Sequence, residues 1–188
     1  MVVFEKILKG LELRHEGKPH YLMGVTLHNI GMICMWCGRL GEALDRFGAA
    51  VRVRRRTLPA DHADLAVSLV RKATVEFGLG HHAQALRDLG EALAGRKKEN
   101  TTRAKILNNL GVVHYHREDF VEAMNCFAKA LQIQRRWLAG PVKRESVVYD
   151  ASVSLANMGK VYLQKKDVDT ALHVLEESLL VSCSRCSW

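Results

Sequence analysis

The sequence predicts an all-α fold in which four helix–turn–helix hairpins stack after a single leading helix. Three observations support this: a fourfold internal repeat, apolar residues recurring every three or four positions, and prolines confined to the junctions between repeats. No segment shows the sustained alternation of apolar and polar residues that is typical of a half-buried strand. We therefore expect no β-sheet.

The repeat consists of small and bulky residues at fixed spacings. Each copy has a leucine four residues before a small residue, which we call the reference residue: Gly31, Ala73, Gly111 and Gly159. An alanine follows after twelve residues, a large apolar residue after sixteen and a second small residue after nineteen. These sets are Ala43, Ala85, Ala123 and Ala171; Phe47, Leu89, Phe127 and Leu175; and Ala50, Ala92, Ala130 and Ser178. Small residues let antiparallel helices approach closely, and the bulky residue fills the facing gap.

The spacing sets the expected boundaries. We predict hairpins over residues 20–57, 62–96, 101–137 and 144–181. Residues 1–19 are expected to form the second helix of an incomplete leading repeat, and residues 182–188 a flexible tail. Pro19, Pro59 and Pro141 lie between repeats, where one helix must end before the next begins. Successive reference residues are 42, 38 and 48 residues apart, and the junctions absorb this variation.

This pattern resembles the tetratricopeptide repeat, a helix–turn–helix unit with Leu, Gly, Ala, Phe and Ala at these relative positions. Its long period is similar to the kinesin-light-chain type, whose first helix typically carries the "NNLG" found at residues 108–111. Residues 61–64 match that type's acidic connection partly, because they lack its proline. The resemblance covers about residues 20–181. It implies a right-handed α-solenoid acting as a scaffold or adaptor, with cargo-adaptor work as one possibility.

The resemblance also implies that the first helices line a concave groove that holds an extended peptide. Asparagines two residues before the reference residue resemble the family residue that grips a peptide backbone, because an amide offers both a donor and an acceptor. Alternatively, these amides bond only to neighbouring helices or water. The predicted groove residues are Asn29, Met32, Met35, Arg71, Phe77, Asn108, Asn109, Tyr115, Asn157 and Lys160.

The chain is basic, with 28 Lys and Arg against 20 Asp and Glu, a formal net charge of +8. Many cations end the second helices: Arg54, Arg55, Arg56, Arg96, Lys97, Lys98, Arg135 and Arg136. Cations at helix C-termini complement the helix dipole, which is a sufficient structural reason for them. Alternatively, they form a basic edge that binds RNA or an acidic protein segment. No aromatic RNA-binding motif accompanies them, so we do not expect sequence-specific nucleic-acid binding.

The sequence carries no motif of a known catalytic or cofactor site. We predict a protein that is not an enzyme, binds no cofactor, metal or small-molecule substrate, and has protein partners. Five cysteines without framework-like spacing indicate reduced thiols, and no secretory signal or membrane span is recognised, so a cytoplasmic location is expected. A leading half-repeat and the lack of a polar capping helix at the other end suggest either a piece of a longer array or self-association through uncapped ends of the array.

Overall fold

The structure, a computed structural model, describes residues 1–96, 100–140 and 145–183. Within these ranges the chain forms nine α-helices and no strand. They are α1 (Val2–Arg14), α2 (Tyr21–Trp36), α3 (Leu40–Thr57), α4 (Ala63–Gly78), α5 (His82–Gly95), α6 (Thr101–His116), α7 (Phe120–Leu138), α8 (Glu145–Gln164) and α9 (Val168–Cys183). The chain divides into two compact units, Met1–Arg96 (unit 1) and Lys97–Trp188 (unit 2).

Unit 1 is a succession of neighbouring helices, in which α1 packs on α2, α2 on α3, α3 on α4 and α4 on α5. Its core cluster joins residues from the first three helices and α4, including Leu8, Ile30, Phe47 and Val75. Burying these apolar side chains contributes roughly 1.5–3 kcal/mol each.

Unit 2 repeats the same arrangement with two hairpins. Here α6 packs on α7, α7 on α8 and α8 on α9, and the two first helices, α6 and α8, also touch. One core cluster contains Ala123, Phe127 and Val161, and a second contains Leu131, Ala151 and Leu155. The contact between α6 and α8 is the one that positions the candidate site.

The repeat residues lie in the core, as the pattern predicts. All four alanines that follow the reference residues by twelve positions are fully buried. The rings of Phe47 and Phe127 lie directly against the glycines Gly31 and Gly111. A Cβ atom added to Gly31 would lie 2.9 Å from the Phe47 ring, and one added to Gly111 would lie 2.5 Å from the Phe127 ring. The bulky side chain therefore occupies the space that a reference side chain would need.

Each first helix ends at the same place in its repeat. The seventh residue after the reference residue has a positive φ in every hairpin: Gly38, Gly80, Glu118 and Lys166. The next amide donates across the turn to the carbonyl five residues earlier, for example from Arg39 to Cys34 at 2.9 Å and from Asp119 to His114 at 2.9 Å. This is the Schellman type of helix end, in which glycine is the usual left-handed residue. Unit 2 adopts it without glycine.

One predicted boundary is wrong. Ser182 and Cys183 belong to α9 and not to a tail, because the helix continues beyond the last apolar residue on which the prediction relied. The remainder of the predicted tail, residues 184–188, lies outside the described residues, as do Lys97, Lys98 and Pro141. In the described part of the chain, no helix is long and apolar enough to cross a membrane.

The glycine–phenylalanine contact predicts opposite effects for two Gly→Ala substitutions. Gly111→Ala should lower the free energy of unfolding by about 1–3 kcal/mol, because the buried Phe127 ring has to move. Gly90→Ala, inside α5 with nothing within 4 Å of the added methyl group, should raise it by up to about 1 kcal/mol. Urea denaturation of both variants measures the difference. Equal effects would contradict the proposed packing role of the reference glycine.

Candidate functional site

Unit 2 contains a small open pocket with a volume of about 100 Å³. Its lining residues are Val112, Tyr115, His116, Phe127, Asn157 and Lys160. We call it the α6–α8 pocket, because five of these residues belong to the two first helices. The structure therefore brings together Tyr115, Asn157 and Lys160, three residues that the sequence assigned to the groove.

Helical spacing explains why these side chains meet. Val112 and Lys160 each follow their reference glycine by one residue, and Asn157 precedes its glycine by two. Residues three or four apart lie on one face of a helix, so Val112, Tyr115 and His116 share a face of α6, and Asn157 and Lys160 share a face of α8. Phe127 reaches the pocket from α7 because Gly111 leaves room for its ring.

The pocket combines apolar surface with a polar rim. Val112, Phe127 and the Tyr115 ring supply the apolar part, and Tyr115 also packs edge-on against Phe120 with ring centres 5.8 Å apart. Its hydroxyl accepts a hydrogen bond from Gln164 Nε2 at 3.2 Å. Lys160 and His116 are exposed. Such a site suits an apolar side chain with a polar or negatively charged neighbour.

The predicted asparagines fall into two classes. Asn157 Nδ2 donates to Asn108 Oδ1 at 3.4 Å, and Ser154 Oγ donates to the same oxygen at 3.5 Å. For this pair the bond to a neighbouring helix, which the sequence left open as an alternative, is present. Asn29 and Asn109 are half-buried, and among the described residues their side chains have no hydrogen-bond partner. Their amides are available to a ligand.

Some of the groove residues predicted in unit 1 pack against other side chains of that unit. Met32 and Met35 are half-buried and pack against the core cluster of unit 1. The Phe77 ring stacks on the His82 ring, with centres 5.4 Å apart. Arg71, in contrast, is exposed on α4.

Sequence reasoning missed the residue five positions after the reference residue. This position carries His116, which lines the α6–α8 pocket, and Trp36, which is 74% exposed at the end of α2. Helical spacing could have identified this position, because it lies four residues after the one occupied by Val112 and Met32 and therefore on the same helix face.

His28 forms a polar contact between α2 and α4, the first helices of the first two hairpins. Its Nδ1 lies 3.0 Å from Ser68 Oγ, and its ring packs edge-on against Phe47. The pKa of His28 is lowered to about 4, mainly by burial and also by the positive charges of Arg54 and Arg71, while Asp64 opposes them. His28 is therefore neutral near pH 7.

Arg54 does not lie on an exposed basic edge, and its assignment to that edge is wrong. The residue is only 4% exposed. Its aliphatic stem covers Gly24, where an added Cβ would come within 3.0 Å of Arg54 Cγ, and its guanidinium donates to the Asp64 carbonyl at 2.6 Å and to Ser68. Arg54 is buried because Gly24 has no side chain to fill this space and because α4 supplies hydrogen-bond acceptors for the guanidinium group.

Other cations of the predicted edge have partners within their own unit. Arg55 bonds to Glu91, and Arg135 bonds to Glu177; both arginines follow their reference residue by 24 positions. Arg96 is half-buried and donates to the Asp61 carbonyl at 3.3 Å. Arg56 and Arg136 are exposed. These contacts leave less unpaired positive charge for RNA than the sequence suggests.

The described residues give no sign of a metal centre. No three His, Cys, Asp or Glu side chains in this part of the chain converge in a way that could hold an ion. Cys34 and Cys37 have the C-x-x-C spacing of some zinc sites, but Cys34 is buried in the core of unit 1, whereas Cys37 is exposed.

Comparison with known proteins identifies the repeat. Residues 22–98 match the tetratricopeptide repeat family, and residues 104–136 match it again, which together is more than half of the chain. The chain belongs to the tetratricopeptide repeat family. Such repeats typically serve as non-enzymatic scaffolds, and this tetratricopeptide chain is a protein–protein interaction repeat module.

Solved structures confirm the fold class. BtubC (BKLC) from P. vanneervenii is 18% identical, with a TM-score of 0.84 covering 98% of this chain and 74% of that chain. The TPR-like repeats of a putative kinesin light chain from Podosopora anserina are 16% identical, with a TM-score of 0.79 covering 98% and 86%. MamA is 16% identical, with a TM-score of 0.69 covering 98% and 92%. The tetratricopeptide chain thus has the predicted all-α helical-repeat solenoid fold, with repeats like those of kinesin light chains.

One curated relative is much longer. The clustered mitochondria protein homolog of Brugia malayi is 23% identical over 184 residues. The match covers 95% of this chain and 12% of that protein. The tetratricopeptide chain therefore spans about 12% of the length of this relative.

The buried position of Arg54 predicts unequal effects for adjacent arginines. Arg54→Met should lower the free energy of unfolding by about 2–3 kcal/mol, because it leaves the Asp64 carbonyl and Ser68 without their charged donor. Arg55→Met removes an exposed ion pair and should cost less than about 1 kcal/mol. Equal losses in urea denaturation would show that Arg54 behaves as a surface residue.

The environment of His28 predicts a loss of stability in acid. The unfolded histidine takes up a proton near its ordinary pKa of 6.5, whereas the folded one does so only near 4. Stability should therefore fall as the pH is lowered from about 6.5 to 4, on the order of 2–3 kcal/mol from this group. His28→Asn, which copies Asn108 at the equivalent position, should reduce this loss. Denaturation at several pH values measures it, and an unchanged slope in the variant would refute the assignment.

Proposed function

We propose that the chain is a scaffold or adaptor that holds an extended peptide segment of a partner protein against its first helices. The α6–α8 pocket carries this proposal, because residues assigned to the groove from sequence alone line one cavity together. The apolar floor accepts one side chain of the peptide, and the polar rim contacts its backbone and neighbouring residues.

The charges around the first helices favour a peptide with acidic residues. Lys160 is exposed at the rim of the α6–α8 pocket, and Arg71 is exposed on α4 of unit 1. A carboxylate next to an apolar anchor residue would pair with Lys160. Asn29 and Asn109, whose amides have no partner among the described residues, supply donors and acceptors for the peptide backbone.

The cytoplasmic location expected from the thiols stays a prediction.

The alternative of RNA binding through the basic edge is not proposed, because Arg54 is buried and Arg55 and Arg135 are paired with carboxylates.

A peptide-binding experiment tests the proposal. A library of random peptides of about twelve residues is selected on the intact chain, and the affinity of the enriched peptides is measured by fluorescence anisotropy. We expect the selected peptides to combine a large apolar residue with Asp or Glu. Lys160→Ala and Asn109→Ala should each weaken binding several-fold, because they remove a charge pair and a backbone contact.

Lys129→Ala provides the matched control, because Lys129 is an exposed lysine on α7 that does not line the pocket. Its affinity should equal that of the unmodified chain. Circular dichroism checks that each variant is folded. If Lys160→Ala binds as tightly as Lys129→Ala, the pocket is not the binding site.

A further inference from the structure

The outward side of α9 carries an uncovered apolar strip. Val168, Leu172 and Leu179 are exposed on it, and Leu179 is 64% exposed. The residues at the same repeat position in α3 and α7, Val51 and Leu131, are only 3% and 5% exposed. Those two helices pack on a following first helix, α4 or α8, whereas α9 packs on the preceding α8 and is joined to α7 by the Arg135–Glu177 ion pair.

The strip contains more apolar surface than the repeat pattern requires. Leu180 is 71% exposed, and its position is occupied by Arg52, Ala94 and Gln132 in the other repeats. These three residues are exposed as well, so the position faces outward throughout. A leucine here extends the strip beyond the ordinary contact with a following repeat.

The strip on α9 has acidic neighbours. Asp169 and Glu176 are exposed and lie three and four residues from Leu172, hence on the same face. Helix α9 contains no Lys or Arg, and Glu177 is already bonded to Arg135. Two α9 helices facing each other would bring like charges together, so the charge pattern favours a basic apolar helix as the partner.

Helix α1 of a second copy has this character. Only Leu8 is buried, and Val2, Val3, Ile7 and Leu13 are exposed. Lys6, Lys9 and Arg14 lie among them. Residues at helical spacing form two neighbouring rows along α1: one contains Val2, Lys6, Lys9 and Leu13, and the other contains Val3, Ile7, Gly10 and Arg14. Gly10 has nothing within 4 Å and leaves a notch for a leucine. Glu5 and Glu12 lie three and four residues from Leu8, on the flank next to the buried side.

We propose that α9 of one copy of this chain binds α1 of a second copy, head to tail. Leu172 and Leu179 pack against Val3 and Ile7, and Asp169 and Glu176 pair with the lysines of α1. Because the two faces differ, the contact is heterologous and adds further copies unless it closes into a ring. A contact of one helix on each side lies at the low end of interface sizes, so we expect a dissociation constant on the order of micromolar.

Complementary variants test this pairing by sedimentation velocity between about 5 and 500 µM. The weight-average mass of the unmodified chain should rise with concentration. Leu179→Glu and Ile7→Glu should each remain monomeric, because each lacks one of the two faces. An equimolar mixture of these variants should form a 1:1 dimer and stop there, because it retains one intact α1 and one intact α9.

Two further variants test specificity. Val121→Glu, which alters an exposed valine on α7, should associate like the unmodified chain. Lys6→Glu should weaken association at least tenfold, and its mixture with Glu176→Lys should recover the affinity. Circular dichroism verifies that every variant is folded. A monomer at all concentrations, a failure of the mixed variants to dimerise, or dimerisation of Ile7→Glu alone would overturn the proposal, and the last result would indicate an α9–α9 contact instead.

Discussion

The contact between the reference residue and the bulky residue sixteen positions later organises both units. Where the reference residue is Gly31 or Gly111, the partner is a phenylalanine, and where it is Ala73 or Gly159, the partner is a leucine. In the first three hairpins the two volumes compensate, and in the fourth the Leu175 side chain lies directly against Gly159. The same contact places the Phe127 ring at the α6–α8 pocket, so the packing of the hairpin also builds the floor of the candidate site.

The two units use one repeat position for different chemistry. The residue three before the reference residue contacts a serine on the next first helix in both units, through His28 and Ser68 in unit 1 and Asn108 and Ser154 in unit 2. In unit 1 the buried Arg54 donates to the same serine, which makes the contact positively charged and sensitive to acid. In unit 2 the contact is made by neutral amides and a hydroxyl group.

The helices and their packing followed from the sequence because they depend on local spacing. Small residues, helical periodicity and prolines all act within one hairpin, so a single chain reveals them. The burial of Arg54 could not be predicted in this way, because it depends on space above Gly24 and on acceptors supplied by α4. The Arg55–Glu91 pair could not be predicted either, because it joins residues 36 positions apart on different helices. In the site, Tyr115, Asn157 and Lys160 were predicted, whereas His116, one helical turn after Val112 on the same face of α6, was not.

The hydrogen bond between Asn157 and Asn108 has a consequence for affinity. The donors at 3.4 and 3.5 Å from Asn108 Oδ1 restrict the rotamers of both asparagines before any ligand arrives. Ordering a side chain on association costs roughly 0.5–1.5 kcal/mol. For these two asparagines, part of that loss of rotamer freedom occurs on folding and not on binding. A peptide bound in the α6–α8 pocket as proposed would meet the restricted amide of Asn157, whereas Asn29 and Asn109 would still have to give up rotational freedom.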